Sequence, residues 1–242
     1  MKNIVLLFLL IIPVLGWTQE AKEIVERVDK NMASKSLIVT SKIIIHGQRG
    51  TRTIEAKTWT EGEERSFTEY LSPAREQGTK MLKLKDELWI YSPSTDRIIK
   101  ISGHMLRQSV MGSDLSYEDM MDNSELLEDY DATVIGNEVY NERNCWILEL
   151  QAKTEDVSYQ LRKIWVDKDR FIPLKEELYA KSGKLLKRTE LSNIKKVGNR
   201  WYPMKIVFKD MLKKGDGTEF IVDEIEFDKA IDEYTFTKAA LK

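Results

Sequence analysis

Leu37-Ile38-Val39-Thr40-Ser41-Lys42-Ile43-Ile44-Ile45 is a β-branched run in which Leu37, Val39, Ser41, Ile43 and Ile45 alternate with Ile38, Thr40, Lys42 and Ile44. Successive side chains of a strand point to opposite faces, so the run predicts a β-strand. Gly47 to Gly50 ends it with a turn, and Thr51 to Thr60 resumes the same alternation. Further strands are expected at Arg65–Tyr70, Lys80–Lys85, Glu87–Tyr91 and Arg97–Ile101, with turn chemistry at Ser92-Pro93-Ser94-Thr95-Asp96. In the second half, turn signals fall at Asp167-Lys168-Asp169, Ser182-Gly183, Gly198-Asn199 and Gly215-Asp216-Gly217. Their spacing leaves roughly ten residues per strand, longer than the usual strand. Long strands joined by short turns form an antiparallel meander, which twist forces to curl or close.

Before the first strand the period changes. Ile24, Val25, Val28 and Met32 recur at helical spacing between Glu20 and Ser34, which predicts one amphipathic helix. The rhythm also breaks between Ser102 and Tyr130. Met105, Leu106, Val110, Met111, Leu115, Met120 and Met121 lie there, and Ser116 with Asp119 three residues on forms a capping box that starts a short helix. Methionine's flexible thioether suits a surface that adapts to variable apolar partners, so Met105, Leu106, Met111, Met120 and Met121 are candidate lid residues, with Gly103 and Gly112 as flexible points.

The chain opens with Lys2, an apolar run from Ile4 to Leu15, and Gly16-Trp17-Thr18-Gln19, the charged, apolar and polar order of a secretory leader. About a dozen apolar residues are too few for an ordinary membrane span. Residues 1–19 are therefore expected to be a signal peptide and 20–242 a single exported domain. Trp17 stands where a lipidated bacterial protein needs cysteine, so the expected product is soluble, periplasmic and not lipid-anchored. The 38 Lys and Arg nearly balance 40 Asp and Glu, which leaves no basic field to collect nucleic acid. Cys145, the one cysteine, excludes an intramolecular disulfide and reads as a packed, inert thiol beside Trp146, Ile147 and Leu148.

The residue patterns of enzymes are missing. His46 and His104 are the only histidines and lie far apart, with no zinc-binding spacing. Gly112-Ser113-Asp114 only superficially resembles a nucleophile turn, since Gly-x-Ser-x-Gly is absent and no histidine follows Ser113. Asp114, Glu118, Asp119 and Asp122 lack the spacing of a calcium loop and read as helix capping and a solvated face. No cofactor is implied. Instead the strands carry apolar bulk on both faces: Leu88-Trp89-Ile90-Tyr91 and Trp146-Ile147-Leu148. One face needs a helix or the insertion over it, and the other can line a cavity that a ligand fills. Trp89, Tyr91, Trp146, Leu148 and Trp165 are the candidate ligand-binding residues, although a one-residue slip in register would move any of them to the opposite face.

Taken together, Leu88-Trp89-Ile90-Tyr91-Ser92-Pro93, Arg97-Ile98-Ile99-Lys100-Ile101-Ser102-Gly103, Met111 to Asp119 and Ile164-Trp165-Val166-Asp167 through Phe171-Ile172-Pro173-Leu174 resemble the LolA-like outer membrane lipoprotein-sorting proteins. They are most similar to the branch found beside RND/MMPL-type transporters. The resemblance implies a mainly β (α+β) fold: a half-open antiparallel barrel of about eleven strands, with an N-terminal helix and short lid helices over an apolar cavity. It also implies a non-enzymatic, monomeric carrier of a lipid or lipoprotein acyl chain that works with an inner-membrane transporter. The competing function is an accessory module that docks on such a transporter and carries nothing.

Overall fold

The computed structural model describes residues 15–47, 50–121 and 126–242, with side chains from Glu20 onward. The expected leader therefore lies outside the described residues up to residue 14, as do Gln48 and Arg49 of the first turn and Asp122 of the acidic group. The chain begins with helix α1 (Leu15–Met32), whose Ala21, Ile24, Val25 and Val28 are all buried at the expected helical spacing. The expected boundary between leader and domain, after Gln19, falls inside this helix.

Six strands follow where the sequence places them: β1 (Ser36–Gly47), β2 (Gly50–Glu61), β3 (Arg65–Ser72), β4 (Lys80–Leu84), β5 (Glu87–Ser92) and β6 (Arg97–Ile101). The insertion consists of 3₁₀ turns at Gly103–Arg107 and Val110–Gly112, then α2 (Tyr117–Met121) and α3 (Leu126–Asp129). The second half adds β7 (Tyr130–Tyr140), β8 (Arg143–Ala152), β9 (Leu161–Asp167), β10 (Pro173–Tyr179), β11 (Leu185–Val197), β12 (Arg200–Asp210) and β13 (Thr218–Phe227). Two C-terminal 3₁₀ turns, Glu233–Phe236 and Lys238–Leu241, complete the chain.

All thirteen strands join one antiparallel sheet in the order β6-β5-β4-β3-β2-β1-β13-β12-β11-β10-β9-β8-β7. The expected count of about eleven is corrected to thirteen. The hairpin β7–β8 and the seven-residue strands β9 and β10 are separate ladders, and β9 and β10 are shorter than the turn spacing suggested. Pairing of β1 with β13 brings the two halves together, while β6 and β7, consecutive in the chain, become the two free edges. Open sheets of more than about ten strands curl rather than stay flat. The sheet is not closed, since its two edges do not pair.

Both halves present a common inner face. In the second half α1 covers Ala132, Val134, Leu148, Leu150, Ile164 and Val166. In the first half the insertion covers Ile45, Ile54, Ala56, Met81, Leu88 and Ile101. The opposite, outer face is also apolar in two places. Phe67, Leu82 and Trp89 lie under Phe236 and Leu241 of the C-terminal turns, and Cys145, Trp165, Ile172 and Leu174 form a second cluster. The C-terminal cover is absent from the sequence reading because Ile231, Phe236 and Leu241 follow no strand or helix period.

Candidate functional site

The segment joining the two sheet edges crosses the inner face, and its attachment explains the Gly112-Ser113-Asp114 string. Asp114 is buried, and its backbone N–H donates to Thr218 Oγ1 at 3.0 Å while the Thr218 hydroxyl donates to Asp114 Oδ2 at 3.0 Å. Asp114 Oδ1 accepts from the backbone N–H of Asp210 at 2.9 Å, and Lys209 Nζ stands 3.7 Å away. Asp114 thus pins the insertion to the β12–β13 end of the sheet. Met111 (φ 50°) and Gly112 (φ 75°) just before it are both left-handed, a region that favours glycine and strains methionine.

The capping box forms as expected. The Ser116 hydroxyl and backbone N–H each donate to Asp119 Oδ2 at 2.6 Å, and the Asp119 N–H donates to Ser116 Oγ at 3.2 Å. Asp119 does more than cap. Tyr159 O–H donates to its Oδ1 at 2.5 Å, and Lys187 on β11 pairs with its Oδ2. Burial alone would raise the Asp119 carboxyl pKa. The Lys187 charge and hydrogen bond, with those of Ser116 and Tyr159, outweigh burial and hold it below the ordinary carboxylate value. On the other side, Lys83 Nζ of β4 donates to Met121 O at 2.6 Å, and Arg52 of β2 donates to Met111 O. The insertion is therefore tied to both halves of the sheet.

Apart from buried Val110, its apolar side chains are only partly buried. Met105, Leu106, Met111, Met120 and Met121 all pack against the inner cluster of β1–β6, and each is only partly buried. Between this cover and α1 lie Ile206 and Phe208 of β12 and Phe220 of β13, which face inward and are half-buried. Ser41, beneath the same region on β1, is 1% exposed, and its Oγ has no hydrogen-bond partner among the described residues.

The five residues nominated as ligand contacts separate by register. Trp146 and Leu148 lie on the inner face. Leu148 is sealed beneath α1, and Trp146 is half-buried against Phe171 with ring centroids 5.3 Å apart. Trp89 and Tyr91 lie on the outer face, because Trp89 pairs with Leu82, which pairs with Phe67. Trp89 is covered by the C-terminal turns, with Lys238 Nζ 4.0 Å above its ring, and Tyr91 O–H donates to Asp96 at 3.2 Å. Trp165 is also on the outer face, where its indole N–H donates to Glu138 at 2.8 Å and Lys175 Nζ stands 3.7 Å above the ring. Apolar strand residues on both faces do not reveal which face a cover occupies, so the sequence could not separate the two sets.

Cys145 and His46 are structurally engaged. Cys145 is fully buried, and burial first, then the charge of Asp167, pushes its thiol up to about 11, leaving it protonated at neutral pH. His46 bridges Glu219 at 3.0 Å and Thr51 at 3.3 Å, while His104 is exposed. Among the described residues no group of three or more His, Cys, Asp or Glu side chains is placed to hold a metal. Among them, too, no helix is long and apolar enough to cross a membrane.

Residues 62–242 match the model of a family described as an uncharacterized protein. The chain belongs to that family. Solved structures give the family member's fold. A putative outer membrane lipoprotein-sorting protein domain from Vibrio parahaemolyticus is 23% identical, with a TM-score of 0.80 over 95% of this chain and 99% of that one. A DUF1329 family protein from Desulfovibrio piger is 24% identical, with a TM-score of 0.84 over 93% and 99%. A LolA superfamily protein from Nitrosomonas europaea is 25% identical, with a TM-score of 0.75 over 91% and 98%. The fold of this family member is LolA-like. No curated protein matches the sequence significantly.

Proposed function

We propose that the protein is an exported periplasmic carrier that holds a lipid or lipoprotein acyl chain against the inner face of its sheet for transfer toward the outer membrane. The observation that carries this reading is the cover itself: five apolar insertion side chains, four of them methionines, rest only partly buried on an apolar sheet face. Contacts of this kind can be exchanged for contacts with a hydrocarbon chain at little net change in apolar burial. Such a carrier needs no catalytic group. In this reading residues 1–19 are the leader, 20–242 are one carrier domain that works as a monomer, and an inner-membrane transporter of the RND/MMPL type is the donor. Trp146, Ile206, Phe208 and Phe220 are the first contacts of the chain, with Met105, Leu106, Met111, Met120 and Met121 as lid; Leu148 joins them if α1 shifts.

Titration with a fluorescent long-chain fatty acid tests the carrier reading. Saturable binding with a blue-shifted, enhanced signal is expected. An accessory module that carries nothing would give no saturable signal.

A further inference from the structure

At the end of the strands away from the Asp114 anchor, a cleft of about 770 Å³ opens beside the last turns of α1. Its wall carries four cations, Arg27, Lys30, Arg170 and Arg200, against two carboxylates, Asp169 and Asp228. Both carboxylates are already engaged: Arg143 Nη2 donates to Asp169 at 2.6 Å, and Arg200 Nη2 and the Lys35 backbone N–H each donate to Asp228 at 3.0 Å. Arg27 and Lys30 have no carboxylate partner among the described residues. The nearest carboxylate to Arg170 is Asp167, with its Oδ2 4.0 Å from Arg170 Nε.

Three guanidinium groups lie over aromatic rings. Arg27 lies 3.4 Å from the centroid of Phe171, Arg170 lies 4.9 Å from that of Trp201, and Arg200 lies 5.1 Å from that of Phe227. A guanidinium held over a ring loses little side-chain entropy when it binds an oxyanion, and Arg27, which has no carboxylate partner among the described residues, has its donors available. The turn that carries Arg170 is fixed as well. Asn31 Nδ2 of α1 donates to Arg170 O at 2.8 Å and Phe171 O at 3.0 Å, and buried Asp167 accepts the Arg170 N–H at 3.2 Å. The carbonyl end of α1 accounts for Arg200, which donates to Ala33 O, but not for Arg27 or Lys30.

Apolar side chains also line the cleft. Phe227 and Val197, which line it, belong to the inner-face cluster of Val39, Tyr202, Met204 and Val222, and half-buried Phe220 continues that surface along β13. Cations beside apolar side chains that continue into the inner-face cluster match an amphiphile with a phosphate-type anion at its head. We infer that this cleft binds the phosphate headgroup of an anionic lipid whose acyl chain lies on the inner face. This deepens the carrier reading and rests on it.

Calorimetric titration of the purified protein with dihexanoyl phosphatidylglycerol, dihexanoyl phosphatidylcholine and glycerol 3-phosphate tests the inference. The expected result is at least tenfold tighter binding of the anionic lipid than of the zwitterionic one, and much weaker binding of glycerol 3-phosphate. The exposed pair Arg27→Gln/Lys30→Gln is expected to abolish the preference by weakening phosphatidylglycerol binding more than phosphatidylcholine binding, and Arg27→Lys/Lys30→Arg is expected to restore it. Equal binding of both lipids, or a preference that survives the double substitution, overturns the headgroup site while leaving the carrier reading standing. Glycerol 3-phosphate binding as tight as the anionic lipid would make this a free-phosphate site and also overturn the inference. Failure of both lipids to bind overturns the carrier reading and this inference together.

Discussion

Thr218 and Asp114 exchange two hydrogen bonds of 3.0 Å, one in each direction, across 104 residues of chain. Thr218 is fully buried, so neither group can turn to water when the other is lost. Replacing Thr218 by valine keeps the volume but strands the Asp114 N–H and Oδ2. The expected cost is about 1–3 kcal/mol, the penalty for an unsatisfied buried polar group. Urea unfolding of Thr218→Val measures it, and limited proteolysis should show faster cleavage within 102–121. Unchanged stability would mean that Asp114 is not the anchor.

The lid assignment predicts that Met105→Asp or Met111→Asp weakens retention of a bound acyl chain and leaves the fold intact. A charge in the cover resists burial against hydrocarbon, while these partly buried side chains contribute little to the core. Lipid release and thermal melting measured on the same variants separate the outcomes. Unchanged release removes the lid idea, and loss of folding makes these methionines core.

Acid should loosen the insertion through Asp119. Its folded pKa lies below the ordinary carboxylate value, so the latch to Lys187 and Tyr159 contributes fully above about pH 4 and is lost as pH falls through the lowered folded value. Lys187→Met removes the largest opposing charge and leaves burial to dominate. The loss should then move to higher pH. Hydrogen exchange of the α2 amides against pH reads this shift, and an identical profile in the variant would show that Lys187 does not hold the carboxylate.

Much of this was legible in the sequence, and the limits have physical causes. Alternation in β1 and β2, the turn residues at Ser92–Asp96, Ser182-Gly183 and Gly198-Asn199, and the Ser116–Asp119 box all act within a few residues, so local chemistry settles them. The pairing of β1 with β13, the Asp114–Thr218 anchor and the aromatic-stacked arginines around α1 join residues far apart in the chain and leave no local signal. The inner-facing set was the hardest to read. Trp89 and Leu88 are neighbours with equal apolar character, and only the tertiary position of the insertion and the C-terminal turns decides that Leu88 faces inward and Trp89 outward.

Leu148→Ala tests whether α1 is a structural cover or a second gate. Leu148 is 1% exposed among Val25, Val134 and Ile164, and truncation there should cost about 2–5 kcal/mol if α1 stays packed. A much smaller cost would show that α1 already leaves the sheet readily.

Mass spectrometry of organic extracts from protein purified without detergent tests the carrier account most directly. The account predicts a phospholipid or acylated species in near-stoichiometric amount, reduced in Met105→Asp. Extracts free of lipid, together with no uptake of an added acyl-chain probe by the folded protein, would contradict it.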